Sequence, residues 1–163
     1  MNARSPDVLP PYRTAIDPAW IDYNGHLRDA FYGLVLSYAT DDMMDHIGVD
    51  AAYRERTRCT LYTLEVHIHY LHEVKATDLL EVRTDILDAD RKRIHAGCSF
   101  FCARVAGPVA VAEAMLLHVL RTDKPAAVAF PADIESRLAA LKLSEAGRAG
   151  FGPASRRIEL RRR

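Results

Sequence analysis

The chain has 163 residues and a mass of 18.3 kDa, with 49% hydrophobic and 27% charged side chains. That is enough for one domain of ordinary size, too apolar for a disordered chain and too poor in cysteine for a disulfide-stapled scaffold. Basic and acidic residues number 22 each, a balance unlike that of a surface built to grip nucleic acid, but the zero sum hides a segregation. Six arginines and two glutamates fall after position 144, so residues 1–144 carry 16 basic and 20 acidic side chains and the end of the chain is basic.

The opening stretch MNARSPDVLPPYR lacks the apolar core of a signal peptide. No run reaches the ~18 apolar residues of a membrane helix; the best, 109–120, is cut by Glu113 and His118. The expectation is a cytoplasmic protein with no membrane partner. Three cysteines fit a reduced chain. Cys98 and Cys102, four apart in a strand pattern, would stand roughly 13 Å apart, beyond the about 7 Å limit of a disulfide.

Pro10, Pro11 and Pro18 keep the entry extended, with a short strand around 12–16. From Leu27 onward apolar groups at 27, 31, 34, 35, 38, 39, 43, 44 and 47 follow helical spacing with a wide buried face, ended by Gly48. In 61–71 the even positions Tyr62, Leu64, Val66, Ile68 and Tyr70 are apolar and most odd ones polar, which predicts a strand. Strands over 79–87 and 94–105 follow, joined by the charged turn 88–93. After Gly107-Pro108, the segment 109–120 has the pattern of a strand buried on both faces, its alanines leaving a helical reading open. A helix over 132–142 starts after Pro131 and carries Ile134, Leu138 and Leu141 on one face. The expected organisation is one domain over 1–143 and a mobile basic tail over 144–163, with 158–160 able to dock. One long helix against four meandering, curled antiparallel strands is an α+β architecture, the hotdog fold. A sheet of that kind leaves an edge to cover, so a homodimer or homotetramer is expected.

The densest chemistry is Trp20-Ile21-Asp22-Tyr23-Asn24-Gly25-His26, leading into the long helix. A carboxylate and an imidazole beside a helix N-terminus could supply a base or nucleophile together with donors for a developing oxyanion. Spacing alone equally allows a structural reading, in which Asp22 or Asn24 caps the helix and Gly25 permits the bend.

Asp22-x-x-Gly25-His26 followed by Tyr32 resembles the D-x-x-G-H…Y signature of the 4-hydroxybenzoyl-CoA thioesterase-like group of hotdog acyl-CoA thioesterases, and the resemblance covers roughly 9–140. WIDYNGH, ATDDMMDHIGVDAAY and LYTLEVHIHYLHEV are similar to the thioesterase module of some bacterial L-carnitine dehydrogenases and to stand-alone betainyl-CoA thioesterases. The resemblance implies hydrolysis of a small acyl-CoA, such as betainyl-CoA in carnitine breakdown, without metal or cofactor. Asp22 would be nucleophile or general base, and backbone N–H groups near Asn24–Leu27 or from a neighbouring subunit would hold the oxyanion. Where other members carry two asparagines after the Gly-His pair, this chain has Arg28-Asp29, so no role of those amides transfers. The alternatives are a hotdog hydratase or dehydratase, a non-catalytic acyl-CoA binder and a basic-tailed interaction module.

Glu65, His67 and His69 share a strand face. His67-x-His69-x-x-x-Glu73 echoes half a cupin metal motif, but Leu61 and Leu80 stand where that motif needs glycines; a polar subunit contact explains the histidines better. Glu65, expected to line the helix N-terminus, is a second candidate for the catalytic set. Recognition of a trimethylammonium group would fall to aromatic faces, with Trp20, Tyr23, Phe31 and Tyr62 as candidates. Arg91, Lys92 and Arg93 are candidates for the phosphates of coenzyme A.

Overall fold

The computed structural model describes residues 8–151. After strand β1 (Tyr12–Ala15) and a 3-10 turn at Pro18–Trp20, the long helix α1 runs over Asp29–Ile47. Its start lies two residues past the predicted Leu27, because Leu27 gives its N–H to Val74 O and stays in the preceding loop. Tyr32, Val35, Leu36, Ala39, Met43, Met44 and Ile47 form its buried stripe. Gly48 closes it at φ +93°, and its N–H returns to the carbonyls of Met44 and Asp45.

The short helix α2 (Ala51–Thr57) was not expected from hydrophobic spacing; Asp50 caps it by accepting the N–H of Tyr53 at 2.7 Å. Strands β2 (Cys59–Tyr70), β3 (Leu79–Ala89), β4 (Arg93–Phe101) and β5 (Ala110–Leu120) follow, then the two-residue β6 (Ala126–Ala127), α3 (Ala132–Leu141) and α4 (Glu145–Ala149). The segment 109–120 is thus a strand, flanked along its length by β2 on one side and by β4, then β6, on the other.

The sheet is curled and antiparallel, in the order β1-β3-β4-β5-β2. The expected four-strand meander holds only for β3-β4-β5. β2 crosses to the far edge and pairs with β5 from Cys59↔Leu120 to Tyr70↔Ala110. Sequence alternation identifies a strand but carries no information about its neighbour.

The face of β2 also departs from expectation. The register slips between Thr63 and Glu65, so Leu64 is an extra residue and the side-chain parity inverts across it. Leu61 and Thr63 face α1 before the bulge and Val66, Ile68 and Tyr70 after it, while Tyr62 joins Glu65, His67 and His69 on the outer face.

Between α1 and the sheet the core forms two groups. One joins Ile47, Val49, Ile86, Ile94, Leu116, Ile134 and Leu138; the other joins Leu27, Tyr32, Val35, Val74, Leu80, Val82, Phe100 and Val109. The second group underlies the start of α1 and so fixes the loop that precedes it.

The described part of the predicted tail, 144–151, packs against the body. Arg148 on α4 bonds Asp88 at 3.3 Å, and Phe151 lies where a Cβ on Gly97 would stand, on the sheet face away from α1. Residues 152–163, with the docking segment 158–160 and five of the six arginines, lie outside the described residues. All three cysteines are free and buried; burial pushes the Cys98 thiol up to about 11. No helix among the described residues is long and apolar enough to cross a membrane.

Candidate active site

The loop 21–27 closes on itself before α1 begins. Ile21 and Leu27 form an antiparallel bridge, Asp22 N–H donates to His26 O at 2.9 Å, and Gly25 N–H donates to Asp22 O at 3.0 Å. Gly25 sits at φ +78° with open space where a Cβ would go, so its requirement is backbone conformation rather than room. The loop is pinned outside as well: Leu27 N–H reaches Val74 O at 2.7 Å and Arg28 N–H reaches Trp20 O at 3.0 Å.

Within this loop Asp22 Oδ1 accepts the backbone N–H of Asn24 at 2.8 Å and of His26 at 3.2 Å, while Oδ2 has only a 3.5 Å contact with the Asn24 amide. Hydrogen bonding from the His26 backbone, above all, and from Asn24 holds the Asp22 carboxyl below its usual range against a smaller opposing effect of desolvation. Asp22 is therefore an ionised carboxylate with one oxygen tied down and the other turned loose. Neither Asp22 nor Asn24 caps α1: the N-cap is Arg28, without a side-chain cap bond.

A cavity of about 410 Å³ opens at this point, lined by Asp22, His26, Leu27, Asp29, Tyr32, Tyr70, Leu71, His72 and Glu73. The end of β2 and the residues after it form one wall and the first turn of α1 the other. His26 Nε2 meets Glu73 Oε2 at 3.1 Å across it. Tyr32 is buried on α1, its hydroxyl pushed up to about 12 by burial; Tyr70 stands edge-on to it at 5.1 Å and donates its hydroxyl to Asp29 O at 3.3 Å.

The expected oxyanion donors are already engaged. The N–H groups of Asn24, Gly25, His26 and Leu27 all bond to Asp22 or Val74. A donor stands two residues further on: among the described residues the N–H of Asp29, first in α1, donates to no protein group, and Asp29 lines the cavity.

Several predicted site residues lie elsewhere. Glu65 does not line the helix N-terminus; the bulge puts it on the outer sheet face, 2.9 Å from His67 Nε2, in a separate cavity of about 310 Å³ with His67, His95 and Glu113. There His95 Nε2 meets Glu113 Oε2 at 2.9 Å. Among the described residues no group of three or more His, Cys, Asp or Glu side chains is arranged to hold a metal ion. Trp20 and Phe31 stack on each other at 5.4 Å against the core, Tyr23 is 92% exposed at the loop tip, and none of the three lines the Asp22 cavity. Tyr62 is on the outer face.

Arg91, Lys92 and Arg93 sit at the β3–β4 turn, whereas the Asp22 loop adjoins the opposite end of β3. An eleven-residue strand separates the two ends, roughly 30 Å at strand rise. Arg93 is bound there by the Asp90 carboxylate, held down at about 2 by that guanidinium. Within one subunit these cations do not reach the cavity. The residues that spacing missed are Asp29, Tyr70 and Glu73 as the partner of His26. Asp29 stood in the sequence as an acid in the first helical turn, but nothing there tied the end of β2 to that turn.

A family model described as the thioesterase-like superfamily matches residues 16–138. The chain is 47% identical over 142 residues to a betainyl-CoA thioesterase of Pseudomonas aeruginosa, with 87% of each covered. It is 36% identical over 136 residues to an L-carnitine dehydrogenase/betainyl-CoA thioesterase of Rhizobium meliloti, matching 82% of this chain and 27% of that longer protein. The crystal structure of a candidate thioesterase from Pseudomonas putida KT2440 superposes with a TM-score of 0.76 at 42% identity, over 93% of this chain and 96% of that one. A Staphylococcus aureus protein solved in complex with CoA superposes at 0.81 and 23% identity, over 99% and 100%, a likeness of fold.

Proposed function

Because the chain belongs to the thioesterase-like superfamily, we propose that it hydrolyses acyl-CoA thioesters at the Asp22 cavity, with betainyl-CoA as the substrate. The observation that carries this reading is an ionised carboxylate with a loose oxygen beside a helix N-terminus that still has an N–H to give.

The thioester carbonyl carbon sits against Asp22 Oδ2, which either attacks it or takes the proton from a water that does. The carbonyl oxygen gains negative charge and turns toward the N–H of Asp29; a donor of this kind is worth roughly a hundredfold or more in rate. The C–S bond then breaks and coenzyme A leaves as the thiolate; where Asp22 itself has attacked, water then hydrolyses the acyl–Asp22 anhydride, which releases the acid and restores the carboxylate. His26, held by Glu73 at 3.1 Å, stands in the same cavity and can shuttle the proton that the thiolate takes up. The substrate assignment is supported by the 47% identical relative, which bears that activity in its name.

The enzyme works as a homo-oligomer in the cytoplasm. Among the described residues β2 pairs only through β5, so its other edge keeps free backbone donors and acceptors, and Tyr62, Leu64 and Val66 along it are exposed. A second copy is the occupant that covers such an edge without leaving polar groups unpaired.

Thiol release across betainyl-, acetyl- and benzoyl-CoA tests the activity and the substrate together. The expected result is the highest kcat/KM for betainyl-CoA; an equal or higher value for acetyl-CoA would defeat the substrate assignment while leaving the hydrolase standing. In a single turnover in H2-18O, label found in the Asp22 carboxylate would establish a covalent intermediate that water opens at the aspartyl carbon.

A further inference from the structure

We infer that Tyr70 and Asp29 form the subsite that selects a quaternary ammonium on the acyl group, an inference that rests on the betainyl-CoA reading. In a betainyl thioester the nitrogen is two bonds from the carbonyl carbon. Any side chain that touches its methyl groups must therefore line the same cavity as Asp22. That requirement removes Trp20, Phe31, Tyr23 and Tyr62.

A quaternary ammonium has no N–H to donate, so it is held by aromatic faces and by unpaired negative charge. The cavity has two aromatic rings. Tyr32 is 3% exposed and packed between Tyr70 and Phe100, so its faces are occupied. Among the described residues Tyr70, 52% exposed, is held by its contact to Tyr32 and its hydroxyl bond to Asp29 O, and so has a ring face to offer.

The acids of the cavity are Asp22, Asp29 and Glu73, with His26 and His72 the other titratable groups. Asp22 is committed to its loop and to the reaction, and Glu73 to His26. Among the described residues the Asp29 carboxylate accepts only the N–H of Ala30 at 2.9 Å and pairs with no cation. Its backbone N–H faces the carbonyl oxygen in the proposed reaction, so its carboxylate, on the same residue, is the acid left to meet the substituent two bonds away. The Tyr70 hydroxyl donates to the backbone carbonyl of Asp29, which sets the ring beside that residue.

The test uses a pair of substrates that differ only in charge: betainyl-CoA and its carbon isostere 3,3-dimethylbutanoyl-CoA. The readout is the ratio of their kcat/KM values, in which any general loss through the helix start enters both numbers and drops out. The wild-type ratio should exceed one. Tyr70→Leu should lower it about tenfold and Asp29→Asn about fivefold, whereas Tyr70→Phe, which keeps the ring and loses the hydroxyl bond, should retain most of it. A ratio within twofold of wild type in both Tyr70→Leu and Asp29→Asn would overturn the inference and leave the betainyl reading intact. A wild-type ratio at or below one would defeat that reading, and the subsite with it.

Discussion

Two parts of this molecule set carboxylates beside histidines, and they behave in opposite ways. At the start of α1, Asp22 is surrounded by backbone N–H groups of its own loop and is held more acidic than an ordinary aspartate. On the outer face of the sheet Asp85 and Glu113 flank Gly97, the first across β3–β4 and the second across β4–β5, near the ring of Phe151. Glu113 there is 8% exposed and engaged by His95, and burial raises Asp85 above its usual range. The same residue types give an ionised, partly free oxygen in one place and a desolvated or paired acid in the other. What separates them is the local backbone. A tight loop directs N–H dipoles at a carboxylate, whereas a strand in mid-sheet has spent its N–H groups on its neighbours.

The comparison breaks most sharply at Asp22. Asp22→Asn should lower kcat/KM by roughly a hundred- to ten-thousandfold with near-wild-type circular dichroism and melting temperature; turnover close to wild type would remove Asp22 from the mechanism. The wild-type pH profile makes the same point. Hydrogen bonding to the charged form lowers the Asp22 pKa, so the active carboxylate persists as pH falls and is lost only below the ordinary value of 3.8. An acidic limb above that value would instead assign the rate to another group.

Gly25→Ala probes the loop rather than the acid. Its φ of +78° costs an alanine about 1–2 kcal/mol, and relief of that strain turns the Asn24 and His26 N–H groups away from Asp22. The expected result is a lower melting temperature together with about a tenfold loss of kcat/KM. A lower melting temperature with unchanged turnover would show that the loop tolerates displacement.

Asp85→Asn should have the smallest effect and the opposite sign. A folded-state pKa above the unfolded one means that Asp85 opposes folding once pH rises past its unfolded pKa, and most fully above its folded one. Replacing it should raise the denaturant midpoint at neutral pH, with turnover within twofold of wild type. Destabilisation would mean that Asp85 holds a partner its burial conceals.

The strand and helix segments were legible because burial imposes a period on side chains, and that period survives in the sequence of α1, β2 and α3. The Asp22 loop was legible too, since an acid, a glycine at positive φ and a histidine sit within five residues and the loop closes with local hydrogen bonds. Long-range arrangement was not legible in the same way. The crossing of β2 to the edge beside β5, the inversion of its face at Leu64 and the meeting of Tyr70 and Glu73 with the first turn of α1 are pairings between distant segments. They arise from how apolar faces find one another in three dimensions, and no local spacing records them. Length, composition and spacing pointed to the class of fold, and the motif at Asp22 to the proposed reacting group. Only the packed chain decided which aromatic ring and which second acid share its cavity, because proximity there is set by strand order and helix placement rather than by position along the chain.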